Sequence, residues 1–259
     1  MTIDQRMTPG SIGKAQANQS AAAEIPIQTC TLSVKIRSMA NLQQLTDNLR
    51  RTISNGTLAE QTLPMCPNIS LYLISEDYPK GRLAEEEMQA IMEQPAYWSF
   101  CWASGQVLAT YLLSTPDHCR NKRVLDLGAG SGVVGIAAAK AGAVSVTACD
   151  TDPLALEACS VNAHLNGVSL DLLADLKSLE DRVDLLIAAD VLYDRENLGW
   201  LQELHHYADE ILIADSRIRD RAVFHEYQHI DEQRSTTIPD LDELEEFGKV
   251  NIYYRTNHP

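Results

Sequence analysis

Asp126-Leu127-Gly128-Ala129-Gly130-Ser131-Gly132 places a carboxylate two residues ahead of three alternating glycines. Val124 to Leu127, just before, is a short apolar run that reads as a buried strand. Val133 to Ala141, just after, is an Ala-rich helical stretch. A strand that turns through glycine into a helix gathers free backbone N–H groups and the positive end of a helix dipole above the turn. Glycine there permits a sharp reversal and lets a ligand approach where a Cβ would clash. The chemistry of such a turn is capture of the polar part of a nucleoside cofactor.

Two motifs overlap at the turn. Gly130-Ser131-Gly132-Val133-Val134-Gly135 is a literal G-x-G-x-x-G, the dinucleotide fingerprint. The other parse, Asp126-x-Gly128-x-Gly130-x-Gly132, is the pattern of S-adenosylmethionine (SAM) sites. The apolar run ends at Leu127, so the tight turn begins at Gly128. In a dinucleotide fold the first fingerprint glycine occupies that position, and from Gly128 the spacing is not G-x-G-x-x-G. A carboxylate at Asp126 suits a cofactor that carries an ammonium better than one that carries a pyrophosphate. The register favours SAM over NAD or FAD, with Gly128, Ala129, Gly130 and Gly132 forming the cradle.

The elements that must position this turn follow along the chain. Val144 to Cys149 is a second strand ending at Asp150, 22 residues after Gly128, where an acid is placed to take both ribose hydroxyls. Asp152-Pro153 starts a helix as N-cap and first residue; Asp152 either only caps or also faces the cofactor. Leu154, Ala158, Val161 and Leu165 form that helix's apolar face, and Asn166-Gly167 ends it. Val183 to Ala189 is a nearly continuous apolar run, the mark of a central parallel strand covered on both faces. It ends in Asp190-Val191-Leu192-Tyr193-Asp194. Ile211 to Ala214 and Val250 to Tyr254 read as further strands. The alternation of strands and helices predicts an α/β, doubly wound, mostly parallel sheet. Ligands of such sheets sit beyond the carboxyl ends of the strands, so Asp126, Asp150 and Asp190 are expected to open onto one crevice.

Upstream, Pro95 to Gln106 concentrates aromatics: Tyr97, Trp98, Phe100 and Trp102. Ser104 is placed to cap a helix with the apolar face Val107, Leu108, Tyr111 and Leu112. Trp98 reads equally as core or as a site residue, whereas Trp102 has the more functional address just before a helix start.

These residues resemble the seven-β-strand, Rossmann-like SAM-dependent methyltransferases. Within them the chain is similar to the protein lysine methyltransferases that include enzymes modifying the electron transfer flavoprotein β-subunit and chaperones. The resemblance runs from about Leu71 to Tyr254. It rests on Tyr97-Trp98-x-Phe100-x-Trp102-x-x-Gly105-Gln106-x-Leu108, on the glycine turn, on Asp150-x-Asp152-Pro153 and on Ala189-Asp190-x-x-Tyr193. It implies that Trp102, Gly128 to Gly130, Asp150, Leu176 and Ala189 line a SAM pocket. Two positions depart from relatives: Leu176, where some members carry Trp, and Ala103, where flavoprotein-modifying relatives carry Pro.

The implied reaction is an in-line displacement in which positive charge moves from sulfur to nitrogen, so the protein supplies alignment and not a nucleophile. The amine must be neutral to attack. Asp190 is the candidate that orients it. Tyr193 lines the methyl channel, and faces such as Tyr193 and Trp98 can hold a methylated cation. Alternatives from other classes are a small-molecule N-methyltransferase and a SAM-binding protein without catalysis, because a fold does not fix a substrate.

Composition bounds the rest. The net charge of −15 is uneven: residues 1–58 hold six Lys/Arg and three Asp/Glu, and everything after them is strongly acidic. An acidic body disfavours nucleic acid and favours a basic protein partner. The six cysteines, at 30, 66, 101, 119, 149 and 159, form no C-x-x-C, so neither a metal nor a disulfide framework is expected. With no spanning apolar run and no secretory segment, a soluble cytoplasmic enzyme without a membrane partner is expected. Three regions are expected: a disordered tail over 1–25, a β–α extension over 26–94, and the SAM-dependent methyltransferase domain over 95–259. In the extension, Thr29 to Arg37 alternates like a strand, and Leu42, Leu45, Leu49 and Ile53 make a helix face. Residues 240–246 carry five acids in seven positions and are expected as an exposed acidic segment near the crevice. Oligomeric state leaves no mark in the sequence.

Overall fold

A computed structural model describes residues 41–78, 85–193 and 195–257. All of them belong to one compact unit spanning Arg37–Pro259. The expected tail and the expected strand at Thr29 to Arg37 lie outside the described residues, as does Asp194.

The centre is a seven-stranded sheet. Its strands in chain order are β3 (Arg123–Leu127), β4 (Ser145–Cys149), β5 (Asp171–Leu173), β6 (Val183–Ala189), β7 (Ala208–Asp215), β8 (Gln228–Arg234) and β9 (Lys249–Thr256). The spatial order is β5-β4-β3-β6-β7-β9-β8; β9 runs antiparallel to both neighbours, and the other pairs are parallel. The order reverses between β3 and β6, and a crevice opens beyond strand ends at such a switch point. Asp126 lies within β3 just before that point, and Asp190 follows β6 directly.

β6 shows why the sheet is buried on both faces. Leu185 and Ile187 enter one core with Val124, Leu212, Val107, Leu108 and Ile136. Leu186 and Ala188 enter the other with Leu125, Ile211, Ile213 and Tyr253. Successive side chains of a strand point to opposite faces, so an unbroken apolar run is what two covered faces require.

Helices α3 (Ala103–Ser114) and α4 (Val133–Lys140) cover the first face and pack closely. A Cβ on Gly105 would stand 2.9 Å from Val133 Cγ1, so only glycine lets the two helix starts approach this far. α5 (Pro153–Leu165) is buried on two sides, which explains a departure from its expected face. Leu154 and Leu165 are half-buried, while Ala155, Cys159, Asn162 and Ala163 are buried as well as Ala158 and Val161.

The second side of α5 is covered by the segment that precedes the aromatic cluster. A helix over 41–52 (α1) presents Leu45 and Leu49, as its spacing predicts. A hairpin of β1 (Leu58–Thr62) and β2 (Ser70–Ile74) follows, then α2 (Glu85–Glu93). Leu45, Leu49, Ile53, Ile74 and Trp98 close over Ala155, Ala158 and Val161. Asn162 of α5 and Asn166, its C-cap, grip the edge of β2. Asn162 Oδ1 accepts from Tyr72 N–H at 2.7 Å while its Nδ2 donates to the Ser131 carbonyl at 2.9 Å. Asn166 accepts from Ser70 N–H at 3.2 Å and donates to the Ser70 carbonyl at 2.6 Å. The fully buried Asn162 therefore ties the hairpin to the glycine turn in one side chain.

Removing that amide leaves a buried N–H and a buried C=O unpaired, at about 1–3 kcal/mol for each group. Asn162→Ala is expected to lower stability by about 2 kcal/mol or more in urea unfolding followed by circular dichroism. Asn162→Leu, which refills the volume without the amide, is expected to recover little of the loss.

Candidate active site

Gly128, Gly130 and Gly132 have φ of 66°, 53° and 80°, so every second residue of the turn is in the left-handed region. That region strains any residue with a Cβ, which gives the alternating pattern its cause. The surroundings differ from one glycine to the next. A Cβ on Gly128 would lie 2.5 Å from Val191 Cγ1, so this glycine brings the turn against the segment after β6. A Cβ on Gly130 would meet nothing among the described residues nearer than 3.9 Å. The chain is open above Gly130, at the start of α4.

The acids around the turn divide by partner. Asp126 is 1% exposed and does not open onto the crevice as expected. Its Oδ2 accepts from Gly135 N–H at 2.8 Å, binding the first turn of α4 from below. Burial pushes its carboxyl up to about 7, with Asp150 adding to the rise. Asp150 accepts from Gly130 N–H at 2.9 Å on one oxygen and from Asp152 N–H at 3.0 Å on the other. Burial also raises its carboxyl, although those two donors oppose the rise. Asp152 accepts from Leu154 N–H at 2.9 Å, which makes it the N-cap of α5.

Asp190 is the centre of the second half of the site. Its φ of 53° is left-handed, a costly conformation for a residue with a side chain and one that clusters at functional positions. Its Oδ1 accepts from Ser104 Oγ at 2.7 Å, from Ser216 Oγ at 2.9 Å and from Ser216 N–H at 3.2 Å. Its Oδ2 is buried and has no hydrogen-bond partner among the described residues. Burial raises this carboxyl too, against the pull of the two serines and Arg217. Ser104 therefore does not cap α3 as expected. Trp102 occupies the N-cap position without a side-chain bond, and the Ser104 hydroxyl crosses to the strand tip instead.

An aromatic row borders this point. Tyr97 meets Trp102 and Tyr193 edge-on, each at 5.7 Å between ring centres, and Phe100 lies 5.8 Å from Trp102. Tyr97 and Tyr193 are 46% and 59% exposed, so the row faces outward. Arg217 sits over the Trp102 and Phe247 rings at 5.9 and 4.2 Å and pairs with Glu243 at 2.6 Å. Trp98, by contrast, is 1% exposed within the core between α1 and α5, which excludes it from holding a substrate cation. Leu176 is buried among Leu125 and Cys149. Ala189 is half-buried at the end of β6, and Ala129 packs on Ala148 and Cys159.

Comparison with known proteins agrees with this arrangement. A family model described as ribosomal protein L11 methyltransferase matches residues 107–195, from α3 through the segment after β6. The crystal structure of a methyltransferase from Pyrococcus horikoshii aligns with a TM-score of 0.50 at 19% identity, over 59% of this chain and 82% of that one, which shows the fold. The electron transfer flavoprotein beta subunit lysine methyltransferase of Rattus norvegicus is 30% identical over 253 residues, 94% of this chain and 93% of that protein. Its Homo sapiens counterpart is 32% identical over 193 residues, 71% and 72% of the two chains. Protein N-lysine methyltransferase METTL21A of Xenopus tropicalis is 37% identical over 130 residues, 46% and 60% of the two. The chain belongs to the protein lysine methyltransferase family of class I SAM-dependent methyltransferases.

The methyltransferase's own residues fit the cofactor its family uses. The open side of Gly130 is a cradle that a Cβ would partly fill, and Asp150 flanks it. Ser104, Ser216 and Asp215 carry no motif of their own, and the sequence does not single them out as site residues. Asp215, 2% exposed at the end of β7, accepts from Arg217 N–H at 2.9 Å and Ile218 N–H at 2.6 Å, which fixes the loop that holds Ser216. Burial pushes its carboxyl up to about 6, and Asp190 adds to this.

A carboxyl raised on folding favours the folded state in its protonated form. That contribution is present below the unfolded value near 4 and is lost as pH rises through the folded value. Asp126 is thus expected to make the cofactor-free methyltransferase lose stability between about pH 4 and 7. Thermal melts across that range for the wild type and for Asp126→Asn, whose amide oxygen still accepts from Gly135, check this. The variant is expected to show a flatter profile and a higher melting temperature at pH 8.

Proposed function

We propose that the chain transfers a methyl group from SAM to the side-chain amine of a lysine on a protein substrate, with Asp190 orienting the amine. The observation that carries the assignment is the buried, unpartnered Oδ2 of Asp190, which follows β6, the strand paired with β3 at the switch point where the glycine turn begins. Bound SAM would supply the methyl group on a sulfonium for displacement by the amine.

The chain's residues supply the rest. Gly128 to Gly132 and the α4 N-terminus cradle the cofactor's polar end, and Asp150 takes the ribose hydroxyls. Asp190 Oδ2 accepts an N–H of the neutral amine and so directs the nitrogen lone pair toward the methyl group. The outward faces of Tyr193 and Tyr97 stabilise the methylated cation as it forms. The substrate ammonium gives up one proton before attack, which leaves with the solvent. The net charge of −15 favours a basic substrate surface. Within the acidic segment 240–246, Glu243 and Glu246 are paired with Arg217 and Arg219, so that draw comes from the whole acidic body more than from this loop.

Two measurements test this reading. Asp150→Ala is expected to weaken SAM binding in calorimetry by about 1–3 kcal/mol, the cost of an unpaired partner. Normal affinity would sink the ribose assignment. Asp190→Asn is expected to lower single-turnover methylation of lysate proteins from labelled SAM far more than it lowers SAM affinity, because the lost contact acts on reacting geometry. Tyr193→Phe is expected to be milder than Tyr193→Ala. Full turnover by Asp190→Asn would make Asp190 a structural residue, and label confined to small molecules would overturn the protein substrate.

A further inference from the structure

We infer that Ser104 and Ser216 are positioning residues for methyl transfer, which clamp one oxygen of Asp190 so that the other is presented alone to the acceptor amine. This rests on the proposed role of Asp190 and extends it to residues that share no motif with it.

The geometry is specific. Three donors converge on a single atom, Asp190 Oδ1, at 2.7, 2.9 and 3.2 Å, and none goes to Oδ2 among the described residues. They come from two directions. Ser104 stands in the first turn of α3, buried to 0% exposure, and Ser216 follows the tip of β7. A carboxylate held at one oxygen from two sides cannot rotate to share its oxygens, so its free lone pairs have one direction. The backbone is held as well: Asp190 N–H donates to the Ala214 carbonyl at 3.0 Å. The serine loop is in turn fixed by Asp215 Oδ1 through the Arg217 and Ile218 N–H groups.

The clamp also works against the effect of burial on the charge. Burial favours a neutral Asp190, and donors to a carboxylate favour the charged form. The charged groups facing Asp190 come from the β7 end, the Arg217 guanidinium lowering and the Asp215 carboxyl opposing ionisation. The first turn of α3, Ala103 to Gln106, brings no charge, only the Ser104 hydroxyl. A neutral carboxyl would turn an acceptor for the amine into a competing donor, and the two serines oppose that loss of charge.

The test uses Ser216, which is half-buried and easier to replace than Ser104. Ser216→Ala is expected to slow single-turnover methylation on the order of tenfold, the effect of losing one hydrogen bond to a charged acceptor, with SAM affinity unchanged within about twofold. Independently of turnover, the Asp190 carboxyl resonance in carbon-13 NMR, assigned by its absence in Asp190→Asn, is expected to titrate at higher pH in Ser216→Ala. Ser216→Thr, which keeps the hydroxyl, is expected to restore both rate and titration midpoint. An unmoved midpoint, an unchanged rate, or failure of Thr to restore them overturns the clamp while leaving Asp190 in place. Full turnover by Asp190→Asn overturns the underlying role instead.

Discussion

A carboxylate taken out of water must find donors or give up its charge, and that constraint organises the crevice end of this sheet. Four acids lie at or just beyond the ends of strands β3, β4, β6 and β7, and each binds N–H or O–H groups of an element that its strand must hold. Asp126 binds the first turn of α4, and Asp150 binds both the glycine turn and the start of α5. Asp190 binds α3 and the loop after β7, and Asp215 binds that same loop. Each bond satisfies a buried acid and fixes a piece of the site. The crevice is what remains between pieces held this way.

The two halves of the site meet through close backbone approach. Gly105 lets α3 begin against α4, and Gly128 lets the cofactor turn lie against Val191. The helix carrying Ser104, one of the two serines that hold Asp190, and the helix that follows the cofactor turn are therefore packed one on the other. Their relative placement is set by core contacts and not by flexible loops, as alignment of two reactants demands.

Much of this was legible in the residues. An almost unbroken apolar run gave β6 and the interior of β7, because strands covered on both faces need it, and mainly apolar stretches interrupted by polar residues gave β3, β4 and β9. The end of the apolar run at Leu127 set the glycine register, and Gly128, Gly130 and Gly132 are the three left-handed residues of that one turn. What escaped reading depends on partners far apart in sequence. Ser104 looks like a helix cap from its neighbours, yet its partner lies 86 residues away. Trp98 is indistinguishable in type from Trp102, and only the packing of α1 over α5 separates core from crevice. Asp126 belongs to the motif, yet its depth below the turn is a property of the assembled sheet. The second buried side of α5 hid behind alanines and asparagines, small or polar residues that carry no apolar stripe.

Asn162 and the C-cap Asn166 make the end of α5 a measuring stick. Four residues of helix advance about 6 Å, and two residues of strand advance about 6.6 Å. Asn162 and Asn166 thus repeat along α5 at nearly the step at which Tyr72 and Ser70 repeat along β2. Each amide oxygen accepts only N–H, and along an edge N–H groups face outward at alternate residues. A slip of β2 by one residue would turn those N–H groups away and set both notches out of mesh. The hairpin therefore cannot slip by one residue without losing both grips, and because Asn162 also grips the Ser131 carbonyl, the ratchet that indexes the hairpin also indexes the cofactor turn.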